Sequence, residues 1–150
     1  MRVVLQRVRE ASVTSEGKQL GKIGPGLLVL AAFENADTAE DLLWMASKIV
    51  KLRIFNDAEG KMNLDLAEVS GELMVVSQFT LFAETKKGNR PSYMRSARPE
   101  TAIPLYNAFL NTLQQLTGTP PQSGEFGADM QISLVNDGPV TITMDSQAKG

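Results

Sequence analysis

The residues of this sequence best placed to do chemistry are Ser77-Gln78-Phe79-Thr80. They offer two hydroxyls, a carboxamide and an aromatic ring. They follow directly on Leu73-Met74-Val75-Val76, a continuous apolar run of the kind that forms a strand buried on both faces. A buried strand ending in Ser-Gln-x-Thr delivers hydroxyls, an amide and turning backbone N–H groups to one spot, a construction that suits a small, oxygen-rich ligand. A second stretch, Asn136-Asp137-Gly138-Pro139-Val140-Thr141, is unusual for a hairpin turn. Pro139 removes a ladder donor at the mouth of a strand. An X-Pro bond is also the one place where a cis peptide is cheap, about 0.5–1 kcal/mol above trans. A cis Gly-Pro turns two successive carbonyls the same way and makes a stiff acceptor wall, able to exclude a substituent by sterics alone.

Two absences narrow the chemistry further. The 150 residues include no Cys and no His. That excludes disulfides, thiolate nucleophiles, Cys or His metal sites, and every triad that uses an imidazole. No side chain with an ordinary pKa near 7 remains. Protons must then move through a shifted carboxylate or Lys, through water, or through the substrate, and catalysis by positioned backbone dipoles gains weight.

Charge is small overall, −2, but uneven. Lys86, Lys87, Arg90, Arg95 and Arg98 fall in one short segment whose only acid is Glu84. A basic loop on a mildly acidic body suits a protein that grips one end of a nucleic acid. Within it, Arg90-Pro91-Ser92-Tyr93 sets a cation, a rigid turn, a hydroxyl and an aromatic side by side, the groups that hold phosphates and stack on bases.

The elements that must position these groups read as α+β. Composition, 43% apolar and 21% charged, is globular, and the length is that of one domain, residues 1–150. Arg2–Val8 is predicted as a strand, with Val3, Leu5 and Arg7 on one face. Ala11–Thr14 reads as its returning partner, Lys18–Ile23 as the next strand and Leu27–Phe33 as a fully buried one, together an antiparallel meander. A helix capped by Asp37 or Thr38 runs to about Leu52, with Leu42, Leu43, Ala46, Ile49 and Val50 on its apolar stripe and Trp44 and Met45 off it. Asn56–Lys61 is a tight turn. Phe82–Arg98 is a long loop. Pro99 opens a second helix, which buries Ile103, Tyr106, Phe109 or Leu110, Leu113 and Leu116 and ends at Gly118. Met130–Val135 and Val140–Met144 read as a final hairpin about Asn136-Asp137-Gly138. The tail Ser146–Gly150 is expected to fray. No apolar run reaches the roughly 18 residues of a membrane span, and Met1-Arg2-Val3-Val4 enters a strand pattern directly, so the expected compartment is the cytoplasm.

Ser77-Gln78-Phe79-Thr80-Leu81 together with Asn136-Asp137-Gly138-Pro139-Val140-Thr141 resembles the motif pair of the D-aminoacyl-tRNA deacylases. The likeness extends through Gln6-Arg7-Val8, Arg53-Ile54-Phe55, Gly60-Lys61-Met62-Asn63, Arg90-Pro91-Ser92 and Ala128-Asp129-Met130-Gln131, although Tyr93 stands where Phe is familiar. The resemblance implies a homodimer with a strongly curved, barrel-like, mostly antiparallel sheet and two main helices. The implied activity is hydrolysis of the ester joining a D-amino acid, or glycine, to the 3′-terminal adenosine of tRNA, without cofactor or metal and with no membrane or DNA partner. It also implies that Gly138 and Pro139, in cis, enter the other subunit's site as a chiral gate that rejects L-amino acids, with Arg7 orienting the gate's carbonyls. Ser77, Gln78, Phe79 and Thr80 would form the pocket floor, with Phe126 and Met130 near the terminal adenosine.

Three points follow from joining the two readings. Backbone N–H groups near Gln78 and Phe79 are expected to polarise the ester carbonyl, with the tRNA 2′-hydroxyl assisting water. Thr80 is expected to position rather than attack, since no base is in sight to activate it. Two rival readings stand: a non-catalytic module that binds the tRNA acceptor end, and a metal-dependent esterase using Asp57, Asp65 or Asp129.

Overall fold

The computed structural model describes Met1–Gly150. Its first strand, β1 (Arg2–Ser15), is a single run of 14 residues. β2 (Lys18–Ile23) and β3 (Gly26–Ala32) both lie antiparallel along one edge of it, β2 against Ala11–Ser15 and β3 against Arg2–Val8. The expected turn before Ala11, and with it the simple meander, is therefore replaced by one long strand. The reason is a bulge: Val8 pairs with Asn136 and Glu10 with Val135, so Arg9 is an extra residue. It flips the alternation, and the inward set changes from even to odd numbers, Val8 to Ala11 and Val13. In the sequence that phase change looks like a turn.

β3 passes to helix α1 (Ala39–Lys51), then to a small hairpin of β4 (Phe55–Asn56) and β5 (Met62–Leu64), then to β6 (Glu72–Ser77). β6 lies parallel to β3, with Ala31 beside Ser77. Gly26 makes that pairing possible, since a Cβ there would lie 1.9 Å from the Glu72 carbonyl oxygen. Helix α2 (Pro99–Thr117) leads to β7 (Gln122–Ser123), parallel to β6, and to β8 (Gln131–Asp145). β8 is again one strand and not a hairpin: it runs antiparallel along the other edge of β1, from Gln131 opposite Thr14 to Asp145 opposite Arg2. The sheet is mixed, curved and nearly closed, as the barrel reading required.

The sheet has two apolar faces. Val8, Ala11, Val13, Ile23, Leu28, Met74 and Val76 fill the barrel interior. Val3, Leu5, Leu27, Val29 and Val75 face the helices. The helical stripes are shifted from expectation. In α1 Met45 is fully buried and Leu43 is exposed. In α2 Ala102, Tyr106, Phe109 and Leu113 are buried, whereas Ile103 and Leu116 are largely exposed. Both ends of α1 and the end of α2 hold: Thr38 precedes α1, with the Asp41 carboxylate accepting its backbone N–H at 2.9 Å, α1 stops at Leu52, and Gly118 caps α2 at φ 82°.

Where fraying was expected, Ser146 is buried. The Met1 α-ammonium donates to Asp37 Oδ1 at 2.6 Å and to Ser146 Oγ at 2.7 Å, and the Ser146 N–H donates to the Met1 carbonyl. Gln147 Nε2 reaches the Asp41 carboxylate at 2.9 Å. Burial opposes the charge on Asp41. The Thr38 N–H, with the Ser146 and Thr38 hydroxyls, outweighs it and holds the carboxyl below its usual range. Asp145 is lowered in the same way: burial is outweighed by the Gln147 N–H and by Arg2, whose Nε lies 2.9 Å from it.

Candidate active site

The parallel pair β3–β6 ends at Ala31-Ala32 and Ser77, and both chains turn away there. The carboxyl edge of parallel strands is where α/β sheets characteristically open a crevice. Here it is a cavity of about 250 Å³. Ser77, Gln78 and Phe79 form one wall, and Phe126, Met130 and Asp129 another. Space comes from small side chains, Ala31, Ala32, Ala97 and Ala102. Of these groups the sequence named Ser77, Gln78, Phe79, Phe126 and Met130 for this site and Asp129 only for a rival metal site; Thr80, expected in the floor, does not line the cavity. The sequence reading missed the alanines. Their signal was an Ala-Ala pair closing an otherwise bulky run at Leu27–Leu30.

After Ser77 the chain enters a 3₁₀ turn, Phe79–Phe82. The Gln78 N–H is spent on the Ala31 carbonyl at 2.7 Å, and the first hydrogen bond of the turn runs from the Leu81 N–H to the Gln78 carbonyl. The Phe79 and Thr80 N–H groups precede it and have no partner within the turn, as at any helix start. Of the backbone N–H groups near Gln78 and Phe79, that of Gln78 is therefore committed to the sheet, while those of Phe79 and Thr80 are left without a backbone partner. Gln78 Nε2 donates to Thr80 Oγ1 at 2.6 Å. The partner that orients the Thr80 hydroxyl is thus an amide donor, which is no base.

Supports outside the motif hold this turn. The Ser96 hydroxyl donates to the Phe79 carbonyl at 2.7 Å. Tyr93 meets the Phe79 ring edge-on at 5.2 Å between centroids. Arg95 pairs with Glu34 and lies 5.3 Å from the Phe82 ring. Beneath the cavity, buried Tyr106 donates its hydroxyl to the Val75 carbonyl at 3.0 Å and carries Phe126 at 5.9 Å between rings. Burial pushes its phenol up to about 12, against a smaller opposing effect of Ser123. Lys86, Lys87 and Arg90 are exposed, without carboxylate partners, at the tip of a loop closed by the Glu84–Ser92 bridge.

The second motif is a bulge. Between Thr141, opposite Gln6, and Asn136, opposite Val8, β8 holds three residues too many for the ladder. Asn136 braces the base, accepting the Val140 N–H at 3.2 Å and donating to Thr141 Oγ1 at 3.1 Å. The Gly138-Pro139 bond is cis, with Gly138 at φ 127°, and both residues are exposed. Arg7, buried, donates Nε to the Asp137 carbonyl at 3.0 Å and Nη1 to the Ile54 carbonyl at 2.8 Å and to Asn56 Oδ1 at 3.2 Å. It therefore directs the carbonyl before Gly138. Neither Gly138, Pro139 nor Arg7 lines the 250 Å³ cavity. Asp57, Asp65 and Asp129 are not gathered into a cluster. Asp57 Oδ1 accepts the N–H groups of Glu59 and Lys61, as a turn residue does.

A family model described as D-Tyr-tRNA(Tyr) deacylase matches residues 4–145. The chain belongs to the D-Tyr-tRNA(Tyr) deacylase family. It is an enzyme of the hydrolase class. A D-aminoacyl-tRNA deacylase of Akkermansia muciniphila is 60% identical to it, and one of Parabacteroides distasonis 58% identical, each over 99% of both chains. Among solved structures, the c-Myc DNA unwinding element binding protein superposes with a TM-score of 0.92 at 40% identity, over 99% of this chain and 100% of that one. A probable eukaryotic D-amino acid tRNA deacylase, 20% identical, superposes with a TM-score of 0.83 over 95% of this chain and 97% of that one, and shares the fold.

Proposed function

We propose that the protein hydrolyses the ester of D-aminoacyl-tRNA, and of glycyl-tRNA, and spares the L-aminoacyl esters. The observation that carries this is the pair of Phe79 and Thr80 N–H groups without a partner in the turn that follows β6, where Phe79 lines a cavity of about 250 Å³ that Phe126 and Met130 also line, the place this reading gives the terminal adenosine. Donors fixed before the reaction stabilise the oxyanion of an acyl ester without reorganising, an effect typically worth about 2.7–4 kcal/mol per donor. With no imidazole or thiol in the chain, water is assisted by the 2′-hydroxyl of the tRNA. Thr80 positions.

The exposed Gly138-Pro139 bulge has no part in its own cavity, which agrees with its acting on the site of a second copy. A homodimer then carries two sites, each gated by the other chain. A wall of backbone carbonyls rejects an L side chain by sterics and leaves a D side chain or a hydrogen untouched. The basic tip at Lys86, Lys87 and Arg90 is the contact for the acceptor end, and the cytoplasm, where tRNA is charged, is the place of action.

The test is amino acid release from matched D-Tyr-tRNA and L-Tyr-tRNA with chelator present. Loss of the D ester alone is the expected result. Loss of both would keep the esterase and remove the gate, and loss of neither with tRNA still bound would leave a binding module.

A further inference from the structure

A larger opening, of about 720 Å³, lies on the far side of the same 3₁₀ turn and shares no lining residue with the catalytic cavity. Leu81 of the turn, Trp44 of α1, and Arg2, Asp145, Lys48 and Lys149 line it. Its charge leans positive, with Arg2, Lys48 and Lys149 set against Asp145 and the α-carboxylate of Gly150. Asp145 is committed to Arg2 at 2.9 Å. Lys48 and Lys149 have no carboxylate partner within 4 Å and instead lie over the Trp44 ring, their ammonium nitrogens 5.8 and 4.9 Å from its centroid. Two like charges gathered on one ring repel each other. The ring offsets part of that repulsion, and an anion between them would remove the rest.

Because the cations already cover the ring, the site suits a phosphate better than a stacked base. Past the turn, Arg2 and Arg95, each paired with a carboxylate, both sit on Phe82, 4.7 and 5.3 Å from its centroid, and Arg95 belongs to the loop that carries the unpaired Lys86, Lys87 and Arg90. Phe79, at the other end of the same turn, lines the catalytic cavity.

We propose that Lys48 and Lys149, held over Trp44, bind an RNA phosphodiester upstream of the terminal nucleotide whose ester is cleaved. This rests on the tRNA-ester reading above. The single-stranded 3′ end then lies across the Phe79–Phe82 turn, with its last nucleoside in the 250 Å³ cavity and a preceding phosphate in the larger opening.

Trp44 is the only tryptophan, so its fluorescence reports on this site alone. The experiment titrates the whole protein with a 3′-adenosine-ended RNA trinucleotide, with adenosine, and with inorganic phosphate. The trinucleotide is expected to shift Trp44 emission in a salt-dependent way, and adenosine is not. K48A/K149A is expected to raise its Kd about tenfold and to flatten the slope of log K against log salt by about 0.7, one single-strand phosphate. K18A, on the distant β1–β2 turn, is the control. An equal shift with adenosine, an equal response to inorganic phosphate at the same concentration, or an unaltered salt slope in K48A/K149A would each overturn the proposal. Hydrolysis of D-Tyr-tRNA without any Trp44 response would remove this site and leave the function. A Trp44 response without hydrolysis would do the reverse.

Discussion

Gly138 stands at φ 127°, in a region that L side chains rarely adopt. On the proposed reading of the gate, a Cβ there would intrude into the other subunit's pocket. Within its own chain that Cβ would lie 2.9 Å from Val140 Cγ2 and 3.0 Å from Arg7 Nη2, so the first casualty is the alignment of Arg7 on the Asp137 carbonyl. Gly138→Ala is expected to lower kcat/KM for D-Tyr-tRNA by on the order of 100-fold, as small displacements at a reacting centre do, and to cost about 1–3 kcal/mol of stability in urea titration. Arg7 illustrates what one residue's position in a pattern can tell. A guanidinium on a face with Val3 and Leu5 must be hydrogen-bonded if buried, so a role in directing carbonyls was legible. Which carbonyls they were depended on the β4–β5 hairpin and the bulge, both brought to Arg7 by tertiary packing.

At the scale of elements, the sequence showed β2, β3, both helices and the end of β6, because burial on two faces and helical spacing write themselves into composition, whereas the three- and two-residue strands β5 and β7 are too short to carry a pattern. It misplaced the two long strands, for a common reason. A bulge and a turn break alternation alike, and Asn136-Asp137-Gly138 is strong hairpin chemistry. Only the partner strand decides between them, and β1 keeps its direction past Arg9 as β8 does past Gly138. The stripe of α1 took in exposed Leu43 and left out buried Met45, since an amphipathic helix tolerates apolar residues at the margin of its buried face. The small-residue walls of the cavity were invisible because alanine carries no pattern. Tyr106 links α2 to β6 through the Val75 carbonyl, and its phenol, raised to about 12, gives a signature. A raised phenol contributes stability that is complete below its unfolded value near 10 and disappears as pH climbs through 12, on the order of 2–3 kcal/mol. Wild-type unfolding free energy is expected to fall across pH 10–12. Tyr106→Phe is expected to lose about 1 kcal/mol at neutral pH and to flatten that fall.

For the whole molecule, the two ends are tied through Asp37, Asp41 and Asp145. Asp41 and Asp145 are held below the ordinary carboxylate range, so the stability that they supply is present above about pH 3.9 and disappears as pH falls through their lowered values. Acidification below pH 4 is expected to free Gln147–Gly150 first, read as a change in Trp44 emission when Lys149 leaves the ring and as faster amide exchange at Gln147. The pairing of β1 with β8 has a kinetic side as well. Arg2 and Asp145, joined across the sheet, are 143 residues apart in the chain, whereas β1 meets β2 and β3 within the first third. Long-range closure is entropically costly before contacts reward it. β8 is therefore expected to dock after the strands and helices that β1 meets earlier in the chain. Met130 and Ile132 of the cavity wall, and the bulge at Gly138, come with it. Without β8 in place, the helices and the first four sheet strands would leave the cavity short of Ile132 and the bulge at Gly138 without its partner strand, so in refolding the return of deacylation is expected to trail the return of helical circular dichroism.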